Sequence, residues 1–179
     1  MKLDPQIFED PRTAEEDLLR QASSAEVAQA LLAWLGSWLD STEPDDEVLW
    51  WAGTAAGRAD RKHLDQPVYE WLQQAPTLQR RVIAASFLDG YWGFAQQIHR
   101  PCVEEFRQAL ALLPRDHYAY GATLMALGKL AASRVSDLPA ELQVDLQDEL
   151  KEHLADLRQR GAFPGVVVAL EDHLADGPG

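Results

Sequence analysis

Apolar side chains recur at every third or fourth position through most of this chain. Nowhere do they alternate with polar ones long enough to mark a strand. Residues 1–12, with Pro5 and Pro11 and no period, read as an extended arm. Thr13-Ala-Glu-Glu16 and Ser23-Ser-Ala-Glu26 each set a hydroxyl three residues ahead of a carboxylate, the capping-box spacing that takes up free amides of a first helical turn. A short helix to about Gln21 follows the first. After the second, Val27, Ala30, Leu31, Trp34, Leu35 and Trp38 form one stripe. Pro44 and the acids Asp45, Asp46 and Glu47 suit the start of a helix running to about Ala59. Trp50, Gly53 and Gly57 fall opposite its main apolar face, and the small residues there predict a second helix at close range.

A short helix is expected over Gln66–Gln74. From Pro76 to about Leu88 the chain is apolar on most sides, which predicts a central helix ended by Asp89-Gly90. Tyr91 and Trp92, between Gly90 and Gly93, are then placed in a turn or at the start of the next helix. Pro101 restarts a helix to about Leu113, with Val103, Phe106, Ala109, Leu110 and Leu113 inward. Asp116 is positioned to cap a helix over 117–135. Leu138, Leu142, Leu146, Leu150, Leu154 and Leu157 mark the longest amphipathic stretch, and Gly161 is its expected stop. Val166–Val168 has strand propensity but continues at helical spacing to Leu174, so it reads as helix.

The pattern predicts an all-α chain. One domain over 13–175 would hold eight or nine antiparallel helices joined by short links, with a flexible tail at 176–179. The segment from Cys102 through Phe106, Ala109 and Leu110 to Pro114 resembles the second helix of a tetratricopeptide repeat. The looser helix pairing resembles HEAT repeats. Either resemblance implies a right-handed α-solenoid that serves as a protein-binding scaffold. A compact helical bundle is the alternative.

Charge narrows the partners. There are 29 acidic against 16 basic residues, a net of -13, and a field of that sign repels nucleic-acid backbones and anionic lipid. Neither nucleic acid nor membrane is therefore expected as a partner, and no apolar run reaches the roughly 18 residues that span a bilayer. The single cysteine, Cys102, permits no internal disulfide; with no signal-like leader, a cytoplasmic location is expected. The acid is uneven: residues 1–60 carry a net of -9, residues 61–120 a net of +1.

Motifs for catalysis are scarce. The glycine patterns of nucleotide binding and of serine hydrolysis are missing, so no cofactor is expected. Glu149 and His153 share a helix face at i and i+4 among Asp145, Asp148, Glu152 and Asp156, which reads as a solvated surface pair and not as a metal site. Trp50, Arg80, Arg81, Tyr91 and Trp92 are the expected partner-binding residues, because aromatics and arginine dominate interface energetics. The function expected is protein–protein interaction, as an adaptor or an immunity-like inhibitor. Two alternatives are a small enzyme with a pocket near Arg80 and Arg81, and a homodimeric structural protein that pairs through the leucine face of 138–160.

Overall fold

The computed structural model describes residues 77–92, 100–132 and 138–175, together with Trp50, Gly53, Thr54 and Gly57. Among the described residues there are five helices and no strand: α1 (Leu78–Trp92), α2 (Arg100–Leu112), α3 (Tyr118–Ala132), α4 (Ala140–Arg160) and α5 (Pro164–Ala175). This part of the chain is all-α. The arm at 1–12, the helices expected at 13–21, 27–38 and 66–74, and the tail at 176–179 lie outside it. Of the helix expected over 45–59, the four described residues are all helical. The chain divides into two compact units, Met1–Ala95 and Gln96–Gly179.

In the first unit, Thr77 stands at the N-cap of α1. Its hydroxyl lies 3.4 Å from the Arg80 amide, and its carbonyl accepts from Arg81 at 3.2 Å. Val82 through Leu88 are buried without interruption, as expected of a helix enclosed on all sides. Ser86 is accommodated because its hydroxyl donates to the Ile83 carbonyl at 2.9 Å. The helix does not stop at Asp89-Gly90; it continues to Trp92. Gly90 is there for close approach. A Cβ at this position would overlap the Thr54 carbonyl oxygen and fall 2.7 Å from its carbon. Reciprocally, a Cβ on Gly53 would lie 2.7 Å from the Ile83 carbonyl and overlap the Ser86 hydroxyl. The small-residue face around Gly53 therefore meets α1 backbone to backbone. Thr54 is buried at this crossing, and its hydroxyl finds no hydrogen-bond partner among the described residues.

In the second unit, α3 is the hub and packs against α2, α4 and α5. Ten of its 15 residues are buried. Gly121 and Gly128, two turns apart, seat α5. A Cβ on Gly121 would lie 3.1 Å from Val166 and 3.3 Å from the Phe163 ring; one on Gly128 would lie 2.8 Å from Leu170 Cδ2. The cap of α3 is His117, not the expected Asp116: the His117 Nδ1 accepts from the Ala119 amide at 3.2 Å. At its other end the Gln143 side chain donates to the Ala131 carbonyl at 2.8 Å.

The inward residues expected of α2 and α4 are all buried: Val103, Phe106, Ala109, Leu110 and Leu113 on one, and Leu142, Leu146, Leu150, Leu154 and Leu157 on the other, with Leu138 just ahead of α4. The leucine face proposed for self-association is thus already covered within the chain. Gly161 ends α4 in the left-handed region, φ 62°. The Ala162 amide reaches the Leu157 carbonyl at 3.0 Å and the Gly161 amide reaches Arg158 at 3.2 Å, the paired bonds of a Schellman stop. Phe163 is also left-handed, φ 48°, a conformation that costs a non-glycine residue about 1–2 kcal/mol. Its carbonyl accepts from Val166 and Val167, and Pro164 follows as the first residue of α5.

Candidate functional site

The C-terminal half of α2, the turn at 113–117, the first turn of α3 and the middle of α4 enclose an open cavity of about 500 Å³. Its lining is Arg107, Leu110, Ala111, Leu113, Pro114, Arg115, Tyr120, Glu149 and His153. Leu110 and Leu113 face inward from α2 and its end, so the floor is apolar by the same periodicity that builds the core.

The polar wall is cross-braced. Arg107 donates from Nε to Glu149 at 2.8 Å and from Nη1 to Glu104 at 2.8 Å, tying α2 to α4. Arg115 Nη1 lies 3.5 Å from Asp156, and Arg160 bonds both Asp156 at 3.2 Å and the Arg115 carbonyl at 3.2 Å. These contacts pin the turn that forms the rim onto α4.

Tyr120 and His153 form the inner end. The phenol oxygen is 3.0 Å from His153 Nδ1, and the rings meet edge to face at 6.0 Å. Burial pushes the His153 pKa down against the pull of Glu149, so the imidazole is held toward its neutral form. Burial pushes the Tyr120 phenol up, with Arg115 opposing. Glu149 Oε1 stands 4.0 Å from His153 Nε2. A hydrogen on Nε2 faces that carboxylate favourably, whereas a lone pair would be repelled. The tautomer is therefore Nε2–H, with Nδ1 accepting from the phenol. In this state His153 presents a donor to the cavity and not a free base, and Tyr120 is held away from the phenolate.

The expected site residues belong to the first unit. Trp50 is half-buried and helical; Arg80 and Arg81 are half-buried in the first turns of α1, and neither is free of partners; Tyr91 and Trp92 fall in its last turn. Glu149 and His153 are not on a solvated face: their side chains are 27% and 21% exposed, against 66% for Asp148 on the same helix. The acids beside them in sequence disguised the pair. The partners that define the site, Arg107 and Tyr120, lie 42 and 33 residues away from Glu149 and His153 respectively.

Among the described residues no group of three or more His, Cys, Asp or Glu is placed to hold a metal ion. No helix among them is long and apolar enough to cross a membrane. Comparison with known protein families, with curated proteins and with solved structures found no match.

Proposed function

We propose that this chain is a protein-binding module that docks a partner in the α2–α3–α4 cavity. One observation carries the reading: an apolar floor of ligand-pocket size bordered by side chains already locked to one another, so little ordering entropy is lost on docking. The proposed architecture is a stack of antiparallel helix pairs, eight or nine helices in all, on the HEAT or tetratricopeptide plan. Within the second unit, α2 with α3 and α4 with α5 act as successive pairs. The α3–α5 packing and the Arg107–Glu149 link from α2 to α4 support that stacking. Trp50, Arg80, Arg81, Tyr91 and Trp92 are proposed as a second contact surface on the first unit. The cytoplasm is the proposed compartment, in keeping with one unpaired cysteine.

The test is a benzophenone side chain introduced at Ala111, exposed at the cavity mouth, and separately at Val144, exposed on α4 outside the lining. Irradiation in cells that make the chain should yield a defined adduct with another protein at Ala111 and none at Val144. Equal labelling at both positions, or none at Ala111, refutes the docking site. An adduct between two copies of the chain replaces the partner with a homodimer. Recovery of the same protein with Trp92→Ala, at undiminished yield, removes the second surface.

The enzyme alternative has one observation in its favour, a histidine, a carboxylate and arginines within a single cavity. The arginines of that cavity are Arg107 and Arg115. The occupied Nδ1 and the raised phenol weigh against it.

A further inference from the structure

We propose that the cavity takes an uncharged stretch of polypeptide, held by the N–H and C=O of one extended residue, with that residue's aliphatic side chain on Leu110, Leu113 and Pro114. This deepens the docking reading and rests on it.

The first argument is charge. Around the cavity the guanidiniums of Arg107, Arg115 and Arg160 are matched by the carboxylates of Glu104, Glu149 and Asp156, each within ion-pair distance of a partner. The imidazole adds no charge in its neutral form. A carboxylate ligand would have to face Glu149, and an ammonium ligand would have to face Arg107. Neither finds an uncompensated opposite charge, and burying a charge without one is unfavourable. The chain as a whole is strongly acidic, yet this surface is balanced.

The second argument is the pattern of unused hydrogen-bonding capacity. His153 Nε2 and Glu149 Oε1 stand 4.0 Å apart, beyond hydrogen-bond range, so a donor and an acceptor lie side by side with neither satisfying the other. An extended residue shows its own N–H and C=O on one side, the same pair that two strands exchange in an antiparallel ladder. The N–H fits Glu149 Oε1 and the C=O fits His153 Nε2–H. Arg107 has further N–H groups beyond the two it spends on Glu149 and Glu104, enough to meet a neighbouring carbonyl. Main-chain recognition of this kind gives affinity, and the floor selects the side chain.

Three probes of near-equal shape test the idea on the full chain. N-acetyl-leucine N-methylamide is neutral and carries the required N–H and C=O. N-acetyl-leucine is an anion, and leucine N-methylamide is a cation. Each is titrated while the His153 ring signals are followed by NMR. The neutral probe should bind at least about fivefold more tightly than either charged one. Glu149→Gln keeps the shape and unbalances Arg107, so preference should swing toward N-acetyl-leucine. Ala111→Trp, a change at an exposed position, should close the mouth and abolish the His153 response with helicity unchanged.

Tighter binding of a charged probe to the unaltered chain, or no His153 response to any probe, overturns the amide proposal. If that happens while benzophenone at Ala111 still captures a protein, the ligand chemistry is wrong and the docking site stands. If the neutral probe binds as expected but Ala111 captures nothing, the docking reading falls and the amide preference stands.

Discussion

Gly128→Ala puts two opposing effects on one atom. An alanine inside a helix is worth about 1 kcal/mol over glycine, because less backbone freedom is lost on folding. The new Cβ, however, would sit 2.8 Å from Leu170 Cδ2 and 3.3 Å from His173 Cδ2. Carbon atoms in favourable contact stand about 3.5–4.0 Å apart, so the methyl overlaps Leu170 by roughly an ångström. Leu170 is fully buried and has no solvent to swing into. Overpacking of this kind costs about 1–3 kcal/mol. The clash should therefore cancel or exceed the helical gain, leaving Gly128→Ala between neutral and about 2 kcal/mol less stable. Gly165→Ala supplies the reference. It is also helical, and its Cβ would meet nothing within 4 Å, so it should be neutral to stabilising by up to about 1 kcal/mol. The gap between the two variants isolates the packing contribution. Urea unfolding followed by circular dichroism gives both values. Leu170→Val, which removes the opposing methyl, should cost less in the Gly128→Ala background than alone. If Gly128→Ala is as stable as Gly165→Ala, α5 does not rest on this glycine, and the account of the second unit's hub is wrong.

Other outcomes are equally definite. Gly90→Ala brings a methyl against the Thr54 backbone, which cannot rotate away, so the loss should exceed that at Gly128; tryptophan fluorescence reads it, since all six tryptophans lie before residue 93. Thr54→Val deletes an unsatisfied buried hydroxyl with little change of shape and should raise the stability read by the same fluorescence, by about 1 kcal/mol. The lowered His153 pKa means the unfolded chain binds the extra proton first. Its contribution is therefore present at neutral pH and lost as pH falls below about 6.5, through the unfolded and then the folded value. The Nε2–H tautomer of His153 is read from its two ring-nitrogen shifts by NMR at neutral pH; a proton found on Nδ1 would overturn the assignment. Gly161→Ala forces a side chain into the left-handed stop of α4 and should cost about 1–2 kcal/mol by thermal unfolding.

Periodicity made the cores of α2 and α4 legible, because a leucine every third or fourth residue can face only one way on a helix. Glycine was ambiguous. Gly161 is a stop, as its place after the last apolar position implied, whereas Gly90 looks the same in sequence and serves a crossing with Thr54. What separates them is a neighbour more than thirty residues distant. The cap of α3 was misplaced by one residue, since Asp116 is the stronger capping type but the His117 ring reaches the amide. The cavity was not legible at all. Glu149 and His153 sit among solvated acids, and only the folding of α2 across α4 encloses them. One signal was present: the apolar α2 stripe carries Arg107 one position from Phe106, close enough to the core to need a carboxylate.

The corner from Gly161 to Pro164 carries a further implication. Two left-handed residues, Gly161 and Phe163, and a proline allow that short link almost no freedom, so it works as a keyed joint that sets the angular position of α5 about its own axis. One residue inserted there would turn the following rod by about 100°. Leu170 would leave the groove over Gly128, and no sliding along the axis could bring it back. Homologous chains that keep this core should therefore vary freely in length elsewhere and not at this hinge.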